Sequence, residues 1–433
     1  MLIIPDRFNY APSAMAMPTE GSSVSRMIWL ALLAFGVAVP LSRPGATLRL
    51  LRRINPFLLL FVVLVAASAV WSIDPAVTIR RLVRVATTVL DAIAFALMTW
   101  RTTRFQSALR PILTIVLIGS VIFVFAAPNL AIERSDATAL VGAWHGLATQ
   151  KNGLGSLAGI ALLLWLHAWS TKERPSWLAA FGIALSLTCL LKSRSSTSII
   201  DAFFSGILML GLLRPPLALR RYLPFLIVMF VSVLLVYSLA VLNLLPGSGI
   251  LLSPITALTG KDLTFSGRTA IWAIMNEHIA LRPILGSGYG AYWVNLPTSP
   301  SMEMIRRLYF YPTESHNGYL DVINDLGIVG ALCLLGYLIV YLRQGMRLFA
   351  VLRPQGILYL ILLFNQMMEN LSESRFFNSL TCEFAILTIA TVAMGRTLLD
   401  LQMQSRSSAP ARTATGQPGT SGRPRIFRSR SSP

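Results

Sequence analysis

Charged residues are scarce in this chain, and acidic ones are the scarcest. Only 13% of its 433 residues are charged, whereas 55% are hydrophobic. Because soluble domains carry about 25% charged residues, this composition excludes an ordinary soluble globular protein. Apolar runs close to the ~20 residues that a helix needs to cross a membrane recur along the chain. We therefore predict an all-α, multi-pass membrane protein, since a single span must satisfy its own backbone hydrogen bonds in lipid.

Cysteine and several common catalytic motifs are also nearly absent. The three cysteines lie in or beside apolar runs and form no CxxC pair, which disfavours a disulfide framework or a thiolate metal site. The chain has no GxxxxGK[ST], HExxH or GxSxG motif, and no DxD element of the kind that metal-dependent sugar-nucleotide transferases use. Residues 1–25 lack the pattern of a cleavable signal peptide. Soluble nucleotide chemistry is therefore disfavoured, and we predict no metal ion and no cofactor.

The charge that is present is mostly basic, with 37 Lys and Arg against 18 Asp and Glu, a formal net charge of +19. These basic residues lie in short segments between apolar runs and in a terminal tail. Membrane topology explains this placement better than nucleic-acid binding does, so we predict no nucleic-acid partner. We expect about 11 (10 to 12) transmembrane helices, at about 27–42, 56–71, 82–99, 111–127, 154–170, 177–191, 198–213, 223–245, 318–342, 355–368 and 380–395.

The connecting segments fall into two alternating sets. The positive-inside rule places the more basic set in the cytoplasm, namely 43–53, 101–110, 172–174, 214–221, 343–347 and the residues after Arg396. The other set is predicted to face outward with the N-terminus and comprises 72–81, 128–153, 192–197, 246–317 and 369–379.

Segment 246–317 is much longer than its neighbours and is predicted to be one large periplasmic loop. Its many aromatic residues favour an ordered structure, with a helix that starts after a Ser266 N-cap and ends before Pro283. Three regions result: a polar N-terminal segment (1–26), a transmembrane domain (27–395) and a basic, disordered cytoplasmic tail (396–433).

Polar residues cluster in four short segments within the outward set. Arg268 is predicted in the first turn of a helix, where free N–H groups favour binding of an anion. Arg194 and Lys192 could add a second group of positive charges. Together they suit a diphosphate at the lipid surface, although interfacial anchoring is the alternative for each. Glu369 and Glu373 are interpreted either as polar site residues or as solvated loop. The four segments are GAWHGLATQKNGLG (142–155), KSRSSTS (192–198), SGRT (266–269) and SHN (315–317).

His316 stands directly before an apolar helix, where the helix dipole tends to lower the pKa of an imidazole. A neutral imidazole can accept a proton, so His316 is a candidate general base for a hydroxyl nucleophile. Capping of the helix or hydrogen bonding to the loop is the alternative. His145 and His278 rank lower, and His167, between two tryptophans, is interpreted as an aromatic-belt residue.

Taken together in their order along the chain, these motifs resemble the O-antigen ligase and polymerase superfamily, particularly its exopolysaccharide-polymerising branch. SHNGYLDVINDLGIVG resembles the family's His-Asn passage after the long loop, and SGRTAIW and GSGYGAYW resemble its loop pattern. WHGLATQKNGLG resembles its Lys-Asn-Gly stretch, and KSRSSTS its short Ser/Arg turn. The resemblance covers roughly residues 56–395.

The resemblance implies a metal-independent glycosyltransferase that moves a glycan from undecaprenyl diphosphate to a hydroxyl acceptor at the outer face of the bacterial inner membrane. His316 matches the family histidine proposed to assist the acceptor, and Arg194 and Arg268 match arginines that contact the diphosphate. Where the family often has His-Lys-Asn, this chain has Gln150, which cannot accept a proton. The remaining predicted substrate-binding residues are Lys192, Lys151, Asn152 and Asn317.

Polymerisation of exopolysaccharide repeat units is the first functional hypothesis. One alternative is a ligase that transfers O-antigen to lipid A core, and another, of a different class, is a non-enzymatic polysaccharide transporter or flippase. Such transporters often show repeated halves with broken helices, and the sequence shows no convincing repeat. The expected partners are an undecaprenyl-diphosphate-linked oligosaccharide, membrane lipids, and chain-length-regulating and export proteins.

Overall fold

The computed structural model describes residues 23–98, 100–133, 141–214, 268–294 and 299–407, and a few residues between 221 and 236. These residues form helices and no β-strand. In chain order the helices are α1 (Ser23–Ser42), α2 (Pro44–Leu51), α3 (Pro56–Ser68), α4 (Pro75–Leu97), α5 (Arg104–Ala126), α6 (Pro128–Ala131), α7 (Lys151–Ser170), α8 (Ser176–Lys192), α9 (Ser196–Leu213), α10 (Arg268–Leu281), α11 (Met302–Leu308), α12 (Gly318–Val351), α13 (Arg353–Glu369) and α14 (Cys382–Ser407).

Six of the described helices are long and apolar enough to cross a membrane: α1, α5, α7, α9, α12 and α14. The pair α2 and α3, bent by 101°, makes a seventh if it counts as one broken span. Ten of the eleven predicted apolar segments lie in helices, and 223–245 lies largely outside the described residues. The all-α, multi-pass class is confirmed, and the count of about 11 spans stays a prediction.

Some helices run past their predicted bounds. Helix α4 begins at Pro75 instead of about 82, because the Asp74 carboxylate caps it by accepting a hydrogen bond from Val77 N at 3.1 Å. Helix α12 continues to Val351, so residues 343–347, predicted as a loop, are helical.

Helix α14 continues through the first residues of the predicted tail. Arg396 Nε lies 3.1 Å from Asp400 Oδ1, a pair one turn apart that favours helix. The helix ends at Ser407, and residues 408–433 lie outside the described residues. The predicted disorder therefore does not apply to residues 396–407.

The long segment 246–317 is described from Arg268 onward, apart from residues 295–298. It contains α10 and α11, and α10 ends at Leu281, two residues before Pro283, as predicted. The predicted N-cap Ser266 lies outside the described residues.

Helix α7 lies at the centre of the bundle and α1 at its edge. Of the most apolar stretch of each helix, 78% is buried in α7 and 11% in α1. Helix α7 packs against α5, α8, α9 and α13. Its first residues, 151–153, are half-buried, and full burial begins at Leu154.

Helix α12 is broken at Gly327, and the break positions the loop that follows α10. Gly327 has φ 63° and ψ −158°, and a Cβ there would lie 2.2 Å from the carbonyl oxygen of Ile284. The loop fits into the break, where Ile328 N donates to Pro283 O at 2.9 Å and Ser287 N donates to Asn324 O at 2.9 Å. The first part of α12 and the loop GSGYGAYW (286–293), which we call the Gly-rich loop, therefore hold each other in place.

The segments predicted to face outward contact one another in pairs. Ile73 N donates to Ser287 O at 2.9 Å, which joins 72–81 to 246–317. Trp144 N donates to Lys192 O at 2.9 Å, and Gly318 N donates to Asn370 O at 3.0 Å, where the long loop enters α12. These contacts agree with the assignment of the segments to one side of the membrane.

Candidate active site

His316 lies in a tight turn that the surrounding residues fix. Its φ of 55° is in the left-handed region, which costs a non-glycine residue about 1–3 kcal/mol. Ser315 Oγ donates to Asn317 O at 2.8 Å, and Trp272 Nε1 of α10 donates to Ser315 O at 3.0 Å. The Asn317 side chain is buried and caps α12, accepting hydrogen bonds from two backbone N–H groups at 3.1 Å. Strain of this kind is often found at functional sites.

Glu373 connects His316 to residues from distant parts of the chain. Its Oε1 accepts hydrogen bonds from Asn152 Nδ2 at 2.6 Å and from Arg268 Nη2 at 3.3 Å. Its Oε2 lies 3.7 Å from His316 Nδ1 and 3.2 Å from Arg375 Nη2. The carboxylate is only 1% exposed, so these contacts replace water. We call these five residues together with Glu314 the Glu373 cluster.

The cluster favours the charged form of His316. Burial acts to lower the pKa of His316, but Glu314 Oε1 at 3.3 Å and Glu373 Oε2 at 3.7 Å outweigh it and raise the pKa to about 9. The predicted lowering of this pKa by the helix dipole is therefore wrong, because two close carboxylates act more strongly than the end of a helix. At neutral pH the residue is an imidazolium.

The two carboxylates that flank His316 differ. Burial acts to raise the pKa of Glu373, but the contact with His316 and the charges of Arg375 and Arg268 lower the pKa to about 2. Burial raises the pKa of Glu314 above its usual value, and the contact with His316 only partly offsets this. Glu373 is therefore a stable anion, whereas Glu314 binds a proton more readily.

The remaining predicted substrate-binding residues, Lys151, Arg194 and Lys192, contact residues outside the Glu373 cluster. Lys151 Nζ donates to Arg194 O at 3.3 Å. The Arg194 side chain is exposed and donates to Val141 O at 2.8 Å, and the Lys192 ammonium lies 5.8 Å from the centre of the Trp144 ring. The structure thus brings Asn152, Arg268 and His316 together, and the described contacts of the Arg194 and Lys192 side chains lie elsewhere.

The other three histidines form separate contacts. His145 Nδ1 lies 3.0 Å from Ala148 O, and His278 Nε2 lies 2.7 Å from Ser287 Oγ. His167 is fully buried, with Nε2 3.0 Å from a backbone carbonyl oxygen of α13. Its interpretation as an aromatic-belt residue is therefore wrong, because α13 covers it.

Sequence reasoning did not single out Glu314 or Arg375, and it left Glu373 open. One usable signal was the density of charge in ENLSESR (369–375), which follows an apolar run directly. Arg375 Nε lies 3.5 Å from Glu369 Oε1, so the three charged side chains of this stretch form one buried network. Charges that border a span are costly to bury unless they pair.

The spacing of Glu314, His316 and Glu373 also suits a metal ion. One ligand atom from each lies within 4.8 Å of the other two. However, Arg268 and Arg375 contact the same Glu373 carboxylate and already compensate its charge.

A cavity of about 620 Å³ adjoins the cluster, within the range of ~300–1,000 Å³ that is typical of ligand sites. Glu314 and Arg375 line it, together with aromatic side chains from the Gly-rich loop and from residues 376–377. His316 is 24% exposed, and its Nδ1 lies 3.3 Å from Oε1 of the cavity-lining Glu314. The cluster is therefore open to a ligand although Glu373 is not.

Comparisons with known proteins agree with the resemblance predicted from the motifs. Residues 181–335 match the O-antigen ligase family model, a range that includes Arg268 and His316 but not Glu373. The chain is 27% identical over 289 residues to the exopolysaccharide production protein ExoQ of Rhizobium meliloti (strain 1021). That match covers 63% of this chain and 61% of the relative. Together these findings support an O-antigen ligase/polymerase-like membrane protein.

Proposed function

We propose that this chain is a glycosyltransferase that polymerises exopolysaccharide repeat units carried on undecaprenyl diphosphate, at the periplasmic face of the bacterial inner membrane. The Glu373 cluster carries the proposal, because residues from three of the four polar motifs meet there at one buried carboxylate. The similarity to an exopolysaccharide production protein favours polymerisation over ligation.

Glycan transfer needs a proton acceptor for the attacking hydroxyl and positive charge beside the leaving group. As an imidazolium, His316 cannot accept another proton at neutral pH. We therefore assign to His316 and Arg268 the stabilisation of the leaving diphosphate, as hydrogen-bond donors and positive charges. For His316 to be the general base, as the sequence suggested, the pH would have to approach about 9.

Glu314 is then the proton acceptor. It lines the cavity, and its raised pKa suits it to accept a proton from a hydroxyl group. As that proton moves to Glu314, the acceptor oxygen bonds to the anomeric carbon of the donor glycan. The bond between that carbon and the phosphate oxygen breaks, and the lipid diphosphate leaves with the electron pair. Since Arg268 and Arg375 already balance Glu373, we propose that no metal ion takes part.

Purified protein supplied with an undecaprenyl-diphosphate-linked repeat unit tests the proposal. We expect wild type to form longer lipid-linked glycans in the presence of a chelator, and His316→Ala and Arg268→Ala to be slower by about 100-fold. Arg306→Ala is the matched control, because Arg306 is 72% exposed and pairs only with Glu303 among the described residues. Wild-type rates in both cluster variants, with the proteins folded, would refute the site. Transfer to lipid A core without chain growth would instead show a ligase.

A further inference from the structure

Three arginines of α4 line the same cavity: Arg80, Arg81 and Arg84. Their spacing of three and four residues places them on one face of the helix. Arg80 is exposed and Arg81 half-buried, and neither forms a hydrogen bond or an ion pair within 4.0 Å to another described residue. Arg84 lies 5.8 Å from the centre of the Trp29 ring. Arginines at a membrane boundary are usually interfacial anchors, but these three also line the cavity beside the Glu373 cluster.

The Gly-rich loop is shaped around Arg81. Gly290 has φ 66°, and a Cβ at this position would lie 2.3 Å from Arg81 Cδ. The Gly290 N–H donates to Asp325 Oδ2 at 2.7 Å. Asp325 also lines the cavity and its charge interacts with that of Arg81, although no hydrogen bond joins the two side chains.

The other walls of the cavity combine aromatic side chains with the carboxylates of Glu314, Asp321, Asp325 and Glu383. Tyr289, Trp293, Phe376 and Phe377 line it, and the Trp293 ring is held by a hydrogen bond from Nε1 to Asp321 Oδ1 at 2.9 Å. Fixed aromatic faces beside a few polar groups are typical of small-molecule sites, and they suit the apolar faces of sugar rings. The cavity therefore combines surfaces for sugars with two arginines, Arg80 and Arg81, that form no ion pair with another described residue.

We propose that Arg80 and Arg81, with Arg84 behind them, bind an acidic substituent of the acceptor glycan. The inference rests on the proposed function. Guanidinium groups bind carboxylates through paired hydrogen bonds, so a sugar carboxylate fits this wall. The acceptor is favoured over the donor because the cavity is lined by Glu314, the assigned proton acceptor, whereas Arg268, Asn152 and His316 are not among its lining residues.

Binding of an acidic oligosaccharide tests the subsite separately from catalysis. The probes are a galacturonic acid oligosaccharide and its carboxyl-reduced counterpart, titrated into the full chain in lipid nanodiscs. We expect wild type to bind the acidic form about tenfold more tightly, and the double variant Arg80→Gln/Arg81→Gln to lose that preference. Unchanged affinity for the reduced form shows that the variant is folded. Arg306→Gln, which removes an exposed charge outside the cavity, and His316→Ala should keep the preference.

Three outcomes would overturn this subsite: equal affinity of wild type for both oligosaccharides, no binding of either, or a preference that survives in the double variant. Weaker binding of inorganic diphosphate by the double variant, with the acidic-glycan preference intact, would assign the arginines to the donor instead. If wild type formed no polymer but showed the preference, and the double variant lost it, the polymerase proposal would fail and the acidic-glycan subsite would stand.

Discussion

Each end of helix α7 contacts a cluster that contains histidine, glutamate and arginine side chains. Only one of these two clusters resembles an active site. Asn152 in its first turn reaches the Glu373 cluster. Near its other end, His167 Nδ1 lies 3.8 Å from Glu173 Oε1, and Arg110 Nη2 of α5 lies 2.6 Å from Glu173 Oε2. We call these last three residues the Glu173 cluster. At 1.5 Å per residue, the two ends are about 22 Å apart.

The two clusters share residue types and differ in access and strain. His316 is 24% exposed, has a left-handed backbone and lies near a cavity. His167 is fully buried in regular helix and lies against a carbonyl oxygen of α13. The Glu173 cluster therefore joins α5, α7 and α13, whereas the Glu373 cluster is open to a ligand. Chemical identity alone does not separate a structural ion pair from a reactive site.

The largest expected difference between the clusters comes from neutralising each central carboxylate. Glu173→Gln leaves buried Arg110 without its carboxylate partner, and Glu373→Gln removes one carboxylate from Arg375, which keeps Glu369 at 3.5 Å. We expect each change to cost up to about 3 kcal/mol of stability. We expect Glu373→Gln to slow polymer formation by about 100-fold or more, since it also releases His316 and Arg268. Glu173→Gln should stay within about twofold of wild type at a temperature where it is folded, because the proposed transfer does not involve the Glu173 cluster.

Thermal unfolding and polymer formation, measured on the same preparations, check this pair. Equal rate losses in the two variants would show that stability, and not position, determines activity.

The pH dependence of the rate distinguishes the roles of Glu314 and His316. With Glu314 as the base and the His316 imidazolium as a donor, the wild-type rate should fall as the pH rises through about 9. Glu314→Gln should lower the rate at neutral pH by about 100-fold, and His167→Gln should leave the shape of the profile unchanged. A wild-type rate that keeps rising through pH 9 would make His316 the base.

The smallest expected effect is the dependence of stability on pH. The pKa of His316 rises from 6.5 when unfolded to about 9 when folded, so its contribution is complete below pH 6.5 and is lost as the pH rises through about 9. His316→Gln should therefore lower Tm most at about pH 6 and least at about pH 10. Melting curves of the two proteins in detergent give this difference, and a Tm gap that widened with pH would contradict the pairing with Glu314 and Glu373.

Much of the fold could be predicted because membrane spans leave a local signal. Runs of apolar residues predicted ten helices in the described chain, and the helix from Arg268 to the residues before Pro283 followed from its flanking residues. The number of spans and the ends of α4, α12 and α14 were harder to predict from the sequence, because caps and ion pairs extend helices beyond their apolar stretches.

The site could be predicted only in part, because its pairings are distant in sequence. Asn152 and Glu373 are 221 residues apart in sequence, and no local sequence pattern predicts the hydrogen bond between them. The pKa of His316 was predicted in the wrong direction for the same reason. The helix that follows His316 can be predicted from the sequence, whereas the contact with Glu373 depends on how a distant loop packs against it.

The central claim is that transfer occurs at the Glu373 cluster, and a structure of the protein with an undecaprenyl-diphosphate-linked donor tests it most directly. We predict the diphosphate within hydrogen-bonding distance of His316 Nε2 and the Arg268 guanidinium, with the reacting sugar directed toward Glu314. A diphosphate bound elsewhere, with the Glu373 cluster closed and unchanged, would contradict the claim.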